Sequence, residues 1–271
     1  MNDQSRFMPD TNRIGLLSST ILLALVLAHL LPSSGSIIEI QFQGFFLAIP
    51  LNTTTIMGIL TAGLTASGMD WLLRSHPSLE GRASFQWWLL PTLTTFVISI
   101  FLAILPDSQF WWVGFIISGV FIFFVILAEY IAVDTDAPFY ALSVVGLTAI
   151  SYALFFILST ALNSSGVRLL VLLPALFLAS TLASLRILYL RVHGKWEFAW
   201  SLGISLVCIQ LAAGLHYWPL TPIQFGLLLI GPLYGLINLA INLGENSPVQ
   251  RAIVEPSIVT ALCWGLAIFL R

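Results

Sequence analysis

A lipid bilayer leaves a polypeptide two ways to cross it, as α-helices or as a closed β-barrel, because each backbone polar group must find its partner within the protein. Run length decides between them here. Mostly apolar runs near the roughly 20 residues of a spanning helix occur at about 14–32, 54–73, 87–105, 110–132, 138–161, 167–188, 197–216, 222–243 and 252–270. Barrel strands need only about 9–11 residues with alternating polarity. The runs therefore predict an all-α, polytopic transmembrane bundle of about nine spans. Composition agrees: 58% of residues are hydrophobic and 8% charged, against about 45–50% and about 25% for soluble domains.

No long linker, charge block or low-complexity tract interrupts the chain, so residues 1–271 read as a single integral membrane domain. The first run follows Arg6 and Arg13. It is long for a signal peptide and lacks a small-residue cleavage site, so it is expected to stay as an anchor. Cys208 and Cys263 lie inside apolar runs and read as small buried hydrophobes. A net charge of −2 argues against nucleic acid as a partner.

Between the first two runs, Ile38, Ile40 and Phe42 alternate with Glu39, Gln41 and Gln43. A period of two is the strand signature. Gly44 can turn the chain, so 36–50 is expected to form a short extracytoplasmic β-hairpin.

Orientation follows from the cations, which favour cytoplasmic loops. With the N-terminus inside, Arg6, Arg13, Arg74, Arg82, Arg186, Arg191, Lys195 and Arg251 fall on the cytoplasmic side, and Arg168 and Arg271 on the other, eight against two of ten. This predicts an N-terminus in the cytoplasm. Trp87-Trp88 and Trp196/Trp200 would mark the inner interface, Trp111-Trp112 and Tyr217-Trp218 the outer one.

Helices in lipid associate through small residues and a few polar contacts. The second run carries Gly58, Ala62 and Ala66 at four-residue steps, ending at Asp70; the eighth carries Gly231, Gly235, Asn238 and Asn242, ending at Glu245. The seventh carries Gly203, Gln210 and Gly214. All three faces are expected to point into the bundle. Pro174 and Pro232 are expected to free backbone carbonyls that neighbouring helices must satisfy.

The topology gathers Asp70, Glu129, Asp134, Asp136, Arg186, Glu245, Arg251 and Glu255 at the inner side as a candidate polar cluster. Ionisable groups within membrane helices are costly and mark functional sites by default. Charges near helix ends also pair or snorkel merely to close a bundle. Glu129 and Arg186 lie deepest and are expected partners. Asp134 and Asp136 have the pairing of a Mg²⁺–pyrophosphate site without the longer aspartate-rich motifs of prenyltransferases. Asp136, before Ala137-Pro138, is expected to cap the following helix instead. His29 and His216 lie near the outer ends, where a metal site would need further ligands; Glu39 and Asp107 are the acids on that side, nothing in the spacing brings them together, and His216-Tyr217-Trp218 reads as part of the interfacial belt. No H-E-x-x-H, G-x-S-x-G or P-loop is present. No catalytic residue, metal or cofactor is assigned.

The strings Ala62-Gly-Leu-Thr-Ala-Ser-Gly-Met-Asp-Trp-Leu-Leu-Arg-Ser-His-Pro77, Leu90-Pro-Thr-Leu-Thr94, Ala128-Glu-Tyr-Ile-Ala-Val-Asp134 and Val254-Glu-Pro256 resemble an uncharacterised bacterial multi-pass membrane family, catalogued as a domain of unknown function. The resemblance covers nearly the whole chain. It implies an inner-membrane protein and supplies no catalytic residues.

Three functions fit. The leading one is binding of a lipid or lipid-linked group at a polar cleft on the cytoplasmic side. A non-catalytic scaffold or assembly partner is the first rival, with its protein partner unspecified. A small-solute or proton-coupled transporter is the second, weakened because Gln210 is nearly alone as a strongly polar residue at mid-depth. A cleft open sideways to lipid favours the first.

Overall fold

The computed structural model describes residues 11–31, 35–42, 45–74, 76, 79, 85–106, 108–192, 194, 196–245 and 248–270. Arg6, Gln43, Gly44, Arg82, Lys195 and Arg271, used above for the turn and the orientation, lie outside them, as does the side chain of Arg251.

Among the described residues nine helices are long and apolar enough to cross a membrane. They are α1 (Thr11–Leu30), α2 (Thr53–Leu73), α3 (Phe85–Ile104), α4 (Gln109–Ile131), α5 (Tyr140–Ser164), α6 (Leu169–Arg191), α7 (Phe198–His216), α8 (Pro222–Gly244) and α9 (Val249–Phe269). Two strands separate α1 from α2. These are β1 (Gly35–Phe42) and β2 (Phe45–Asn52), antiparallel, with Ile38 opposite Ile49 and Ile40 opposite Leu47.

The chain divides into two compact units, Met1–Ser143 and Val144–Arg271. In the first, α1 packs on α2, α3 and α4, α2 on α3, and α3 on α4. The inward stripe of α1 is Ile14, Leu17, Ile21 and Leu25, all buried and spaced three or four apart, one face of a 3.6-residue helix. Glycines let the helices close. Leu17 occupies the space a side chain at Gly68 would need, Ser99 does so at Gly58, and Leu22 lies 3.1 Å from the position of a Cβ at Gly119.

In the second unit, α8 packs on α9, α6 on α7, and α7 and α6 on α8. The face of α8 expected from its spacing is the one used. A Cβ at Gly231 would stand 3.0 Å from Cys263 Cβ, and one at Gly235 2.6 Å from Thr260 Oγ1, both on α9. Phe156 and Thr160 of α5 close over Gly226 in the same way.

The face expected of α7 is not the one buried. Gly203, Gln210 and Gly214 are exposed, and no atom lies within 4 Å of a Cβ built at either glycine. The buried residues are Ser201, Ile204, Ser205, Cys208 and Ala212. The reason is a hydrogen bond: Thr181 Oγ1 on α6 donates to Ser205 Oγ at 2.9 Å, and Ser205 donates to the Ser201 carbonyl at 2.8 Å. Two small-residue faces compete on α7, and the one bearing hydroxyls wins because they bond across the helix pair.

Candidate functional site

In the first unit, polar groups collect where α2 and α4 end. Asp70, in the last turn of α2, accepts from Arg74 Nε at 2.8 Å and Nη2 at 2.7 Å. This is an i,i+4 pair with Arg74 largely in the open, a geometry worth only a few tenths of a kcal/mol. The chain then folds back through a bond from His76 N–H to the Leu73 carbonyl, 2.9 Å. It buries the His76 ring edge-on to Tyr130 of α4, centroids 4.5 Å apart. Burial pushes the imidazole pKa below its ordinary 6.5, and the Asp134 carboxylate opposes that shift without cancelling it. Glu129, next to Tyr130, is fully buried in the last turn of α4.

Beyond α4 the chain makes successive tight turns. Asp134 N–H donates to the Ile131 carbonyl, Ala137 N–H to that of Asp134, and Tyr140 N–H to that of Ala137. Asp134 Oδ1 accepts from Asp136 N–H at 3.0 Å, an Asx turn. Asp136 therefore does not cap α5, which starts four residues later at Tyr140. Pro138 disfavours helical geometry at Ala137, so the helix begins only past the proline.

In the second unit Arg186 is fully buried on α6, its guanidinium carbon 5.7 Å from the Tyr189 ring. Tyr189 lies 4.9 Å from Trp196, and Trp196 stacks on Phe198 at 5.5 Å, between centroids. Such a cation–aromatic contact stabilises by about 0.5–2 kcal/mol as water is removed. The turn from α6 to α7 closes at Gly194, whose φ of +72° favours glycine and whose N–H donates to the Tyr189 carbonyl at 3.1 Å.

The α8–α9 pair is tied along its whole length. Gln224 closes the capping box of α8 with Thr221 and sends its Nε2 to the Ala267 carbonyl at 3.0 Å, near the C-terminal end of α9. Thr260 Oγ1 donates to the Gly231 carbonyl at 3.0 Å. Pro232 has no N–H, so the Leu228 carbonyl loses its i+4 donor, and Trp264 Nε1 takes that place at 3.1 Å. Pro256 frees the Ala252 carbonyl in α9, and Asn242 Nδ2 of α8 reaches it at 3.5 Å. Each helix thus supplies the donor that a proline removed from the other. Pro256 and its acceptor were not anticipated from the sequence.

Beside these prolines, α7, α8 and α9 enclose a groove of about 420 Å³ between Val207, Leu236, Leu239, Ile253, Ser257 and Ala261. It is apolar apart from the hydroxyls of Ser257 and Thr260. Glu245 ends α8 as its exposed C-cap, Arg251 lies in the first turn of α9, and Glu255 is exposed one turn further on. Of the eight residues of the expected cluster, Asp70, Glu129, Asp134 and Asp136 belong to the first unit. Arg186, Glu245, Arg251 and Glu255 belong to the second. His76 and Trp264 were not foreseen as part of either constellation. Pro77 after His76 signals a turn, and Trp264 lies two turns beyond Pro256, but neither signal names a contact.

Residues 33–270 match the model of a protein family described as a protein of unknown function. No curated protein and no solved structure matches the chain.

Proposed function

The chain belongs to the DUF5656 family, and we propose that it is a multi-pass protein of the bacterial inner membrane, N-terminus cytoplasmic, that holds the hydrocarbon chain of a lipid or lipid-linked group. The family match runs through both compact units, which supports reading them as one membrane domain. Eight of ten cations on one side support the orientation, with β1–β2 outside.

The observation that carries the lipid reading is the groove between α7, α8 and α9. Its volume, about 420 Å³, lies within the roughly 300–1,000 Å³ of ligand pockets. Its walls are mostly hydrocarbon, and they come from three helices that are each apolar enough to span a membrane. Glu245, the exposed C-cap of α8, lies beyond Leu239 of the groove on the same helix and suits a head group there. Gln210, which a transport path would use at mid-depth, is on the exposed face of α7.

The test is photolabelling in liposomes with a phospholipid bearing a diazirine in its acyl chain. Labelled peptides should concentrate in Ile253–Trp264. Ala261→Phe, which fills the groove, should remove that label while leaving labelling at Ile116 and Ile117, on the exposed face of α4. Equal labelling of all exposed faces, unaffected by Ala261→Phe, would sink the reading.

A further inference from the structure

Tyr152 of α5 and Tyr234 of α8 lie ring against ring in the second unit, centroids 5.4 Å apart and tilted by 48°. Each comes twelve residues after the first residue of its helix, in the 25 residues of α5 and the 23 of α8. Both helices therefore put the pair near the middle of a span. The side chain of Asn238, one turn further along α8, meets the Tyr152 hydroxyl, and the Arg191 guanidinium acts on the same hydroxyl from α6. Arg191 is the last residue of α6. Helical side chains lean toward the N-terminus of their own helix. Successive spans run in opposite directions, so Tyr152 and Arg191 lean toward one another along the bundle.

The company of this cation is chemically specific. Arg191 makes no hydrogen bond or ion pair with any described residue. The second unit has three side-chain carboxylates, Glu197, Glu245 and Glu255; all are described, and none pairs with it. Its neighbour is a phenol instead. Asn238 commits its Nδ2 to the Tyr234 carbonyl at 2.9 Å, and the Tyr234 hydroxyl bonds to no described residue. A guanidinium carries only donors, and each phenol has an O–H to give. Donors from three helices thus converge, and no carboxylate of the unit answers them. An anion would. A carboxylate offers two oxygens in one plane, whereas the tetrahedral oxygens of a phosphate can be shared among three helices, and arginine suits phosphate.

We propose that Arg191, Tyr152 and Tyr234 bind a phosphate group, free or carried by a lipid, between α5, α6 and α8. This site is separate from the lipid groove. Leu236 lines that groove, and Tyr234, two residues before it, lies about 200° away around the helix. The inference therefore stands whether or not the groove holds a hydrocarbon chain.

The experiment reads the thermal midpoint of purified protein in a maltoside detergent and phosphate-free buffer. Inorganic phosphate and dihexanoyl phosphatidic acid are titrated separately, with sodium chloride at equal ionic strength as the control. The expected result is a saturable rise with at least one phosphate probe and none with chloride. Saturation by inorganic phosphate marks a free-phosphate site, and saturation by phosphatidic acid alone marks a lipid head group. Tyr152→Phe and Tyr234→Phe keep both rings and should each weaken binding about tenfold. Arg191→Gln should abolish the rise and Arg191→Lys should keep part of it. Arg168→Gln, at the other end of α6, and Ala261→Phe, in the lipid groove, should leave it unchanged. The midpoints without phosphate show which variants are folded, and if Arg191→Gln is not, the two phenylalanine variants decide. No saturable rise with either probe, or a rise that survives in the folded variants of Arg191, Tyr152 and Tyr234 alike, overturns the proposal.

Discussion

The indole N–H of Trp264 on α9 donates to the carbonyl of Leu228 on α8 at 3.1 Å, the group that Pro232 deprives of its helical donor. A carbonyl without a donor in lipid is expensive, so the tryptophan is fixed by a proline on another helix. Trp264→Phe keeps the ring and removes the donor. It should cost about 1 kcal/mol, the scale of interhelical hydrogen bonds in membranes. Pro232→Ala restores a backbone donor, so Trp264→Phe should cost much less in that background. Thermal unfolding in detergent measures the cycle; additive losses would remove the relationship.

The reciprocal contact is longer. Asn242 Nδ2 stands 3.5 Å from the Ala252 carbonyl, at the limit of a hydrogen bond. Asn242→Leu should therefore destabilise less than Trp264→Phe in the same assay, by under about 0.5 kcal/mol. A larger loss than that of Trp264→Phe would reverse the ranking.

Two glycines should behave oppositely. A side chain at Gly231 meets Cys263 and the Thr260 backbone, and backbone does not yield. Gly231→Leu should force α8 and α9 apart, at about 1–3 kcal/mol or more. Gly203 has open space around it, so Gly203→Ala should leave stability unchanged or raise it by up to about 1 kcal/mol. Melting temperatures of the two variants decide it, and similar losses in both would contradict the packing.

His76 sets a pH dependence. Its pKa in the folded protein lies below 6.5, chiefly through burial. On acidification the unfolded state therefore binds the proton first. Stability is fully present above about pH 6.5 and falls as pH drops from there through the folded value. The facing carboxylate of Asp134 moderates the loss. His76→Phe keeps a ring against Tyr130 and removes the titration. The difference in melting temperature between wild type and variant should therefore change between pH 7.5 and 5.5, in the direction of wild type losing more. A constant difference would exclude His76 as the source.

Topology is directly checkable. Alkaline phosphatase fused after Gly166 should be active, outside the cytoplasm, and fused after Asp136 inactive. The reverse pattern would invert the proposed orientation.

The amino-acid sequence by itself determined where the helices lie, because about 20 apolar residues in a row admit few other structures in a bilayer. It also marked the Gly231 and Gly235 face of α8 correctly, since close approach needs small residues and their spacing is readable. Only the tertiary structure decided which of two small-residue faces α7 buries, that Trp264 answers Pro232, that His76 packs edge-on against Tyr130, and that α7, α8 and α9 leave a groove beside Pro232 and Pro256. The cause is the solvent. A helix in water shows its inward face by an apolar stripe, whereas in lipid both faces are apolar, and the inward one is chosen by hydrogen bonds and close packing between helices distant in sequence. Asp136 shows the same limit locally. Its spacing before Pro138 fits an N-cap, but the side chain of Asp134 and the turn before the proline take the backbone first.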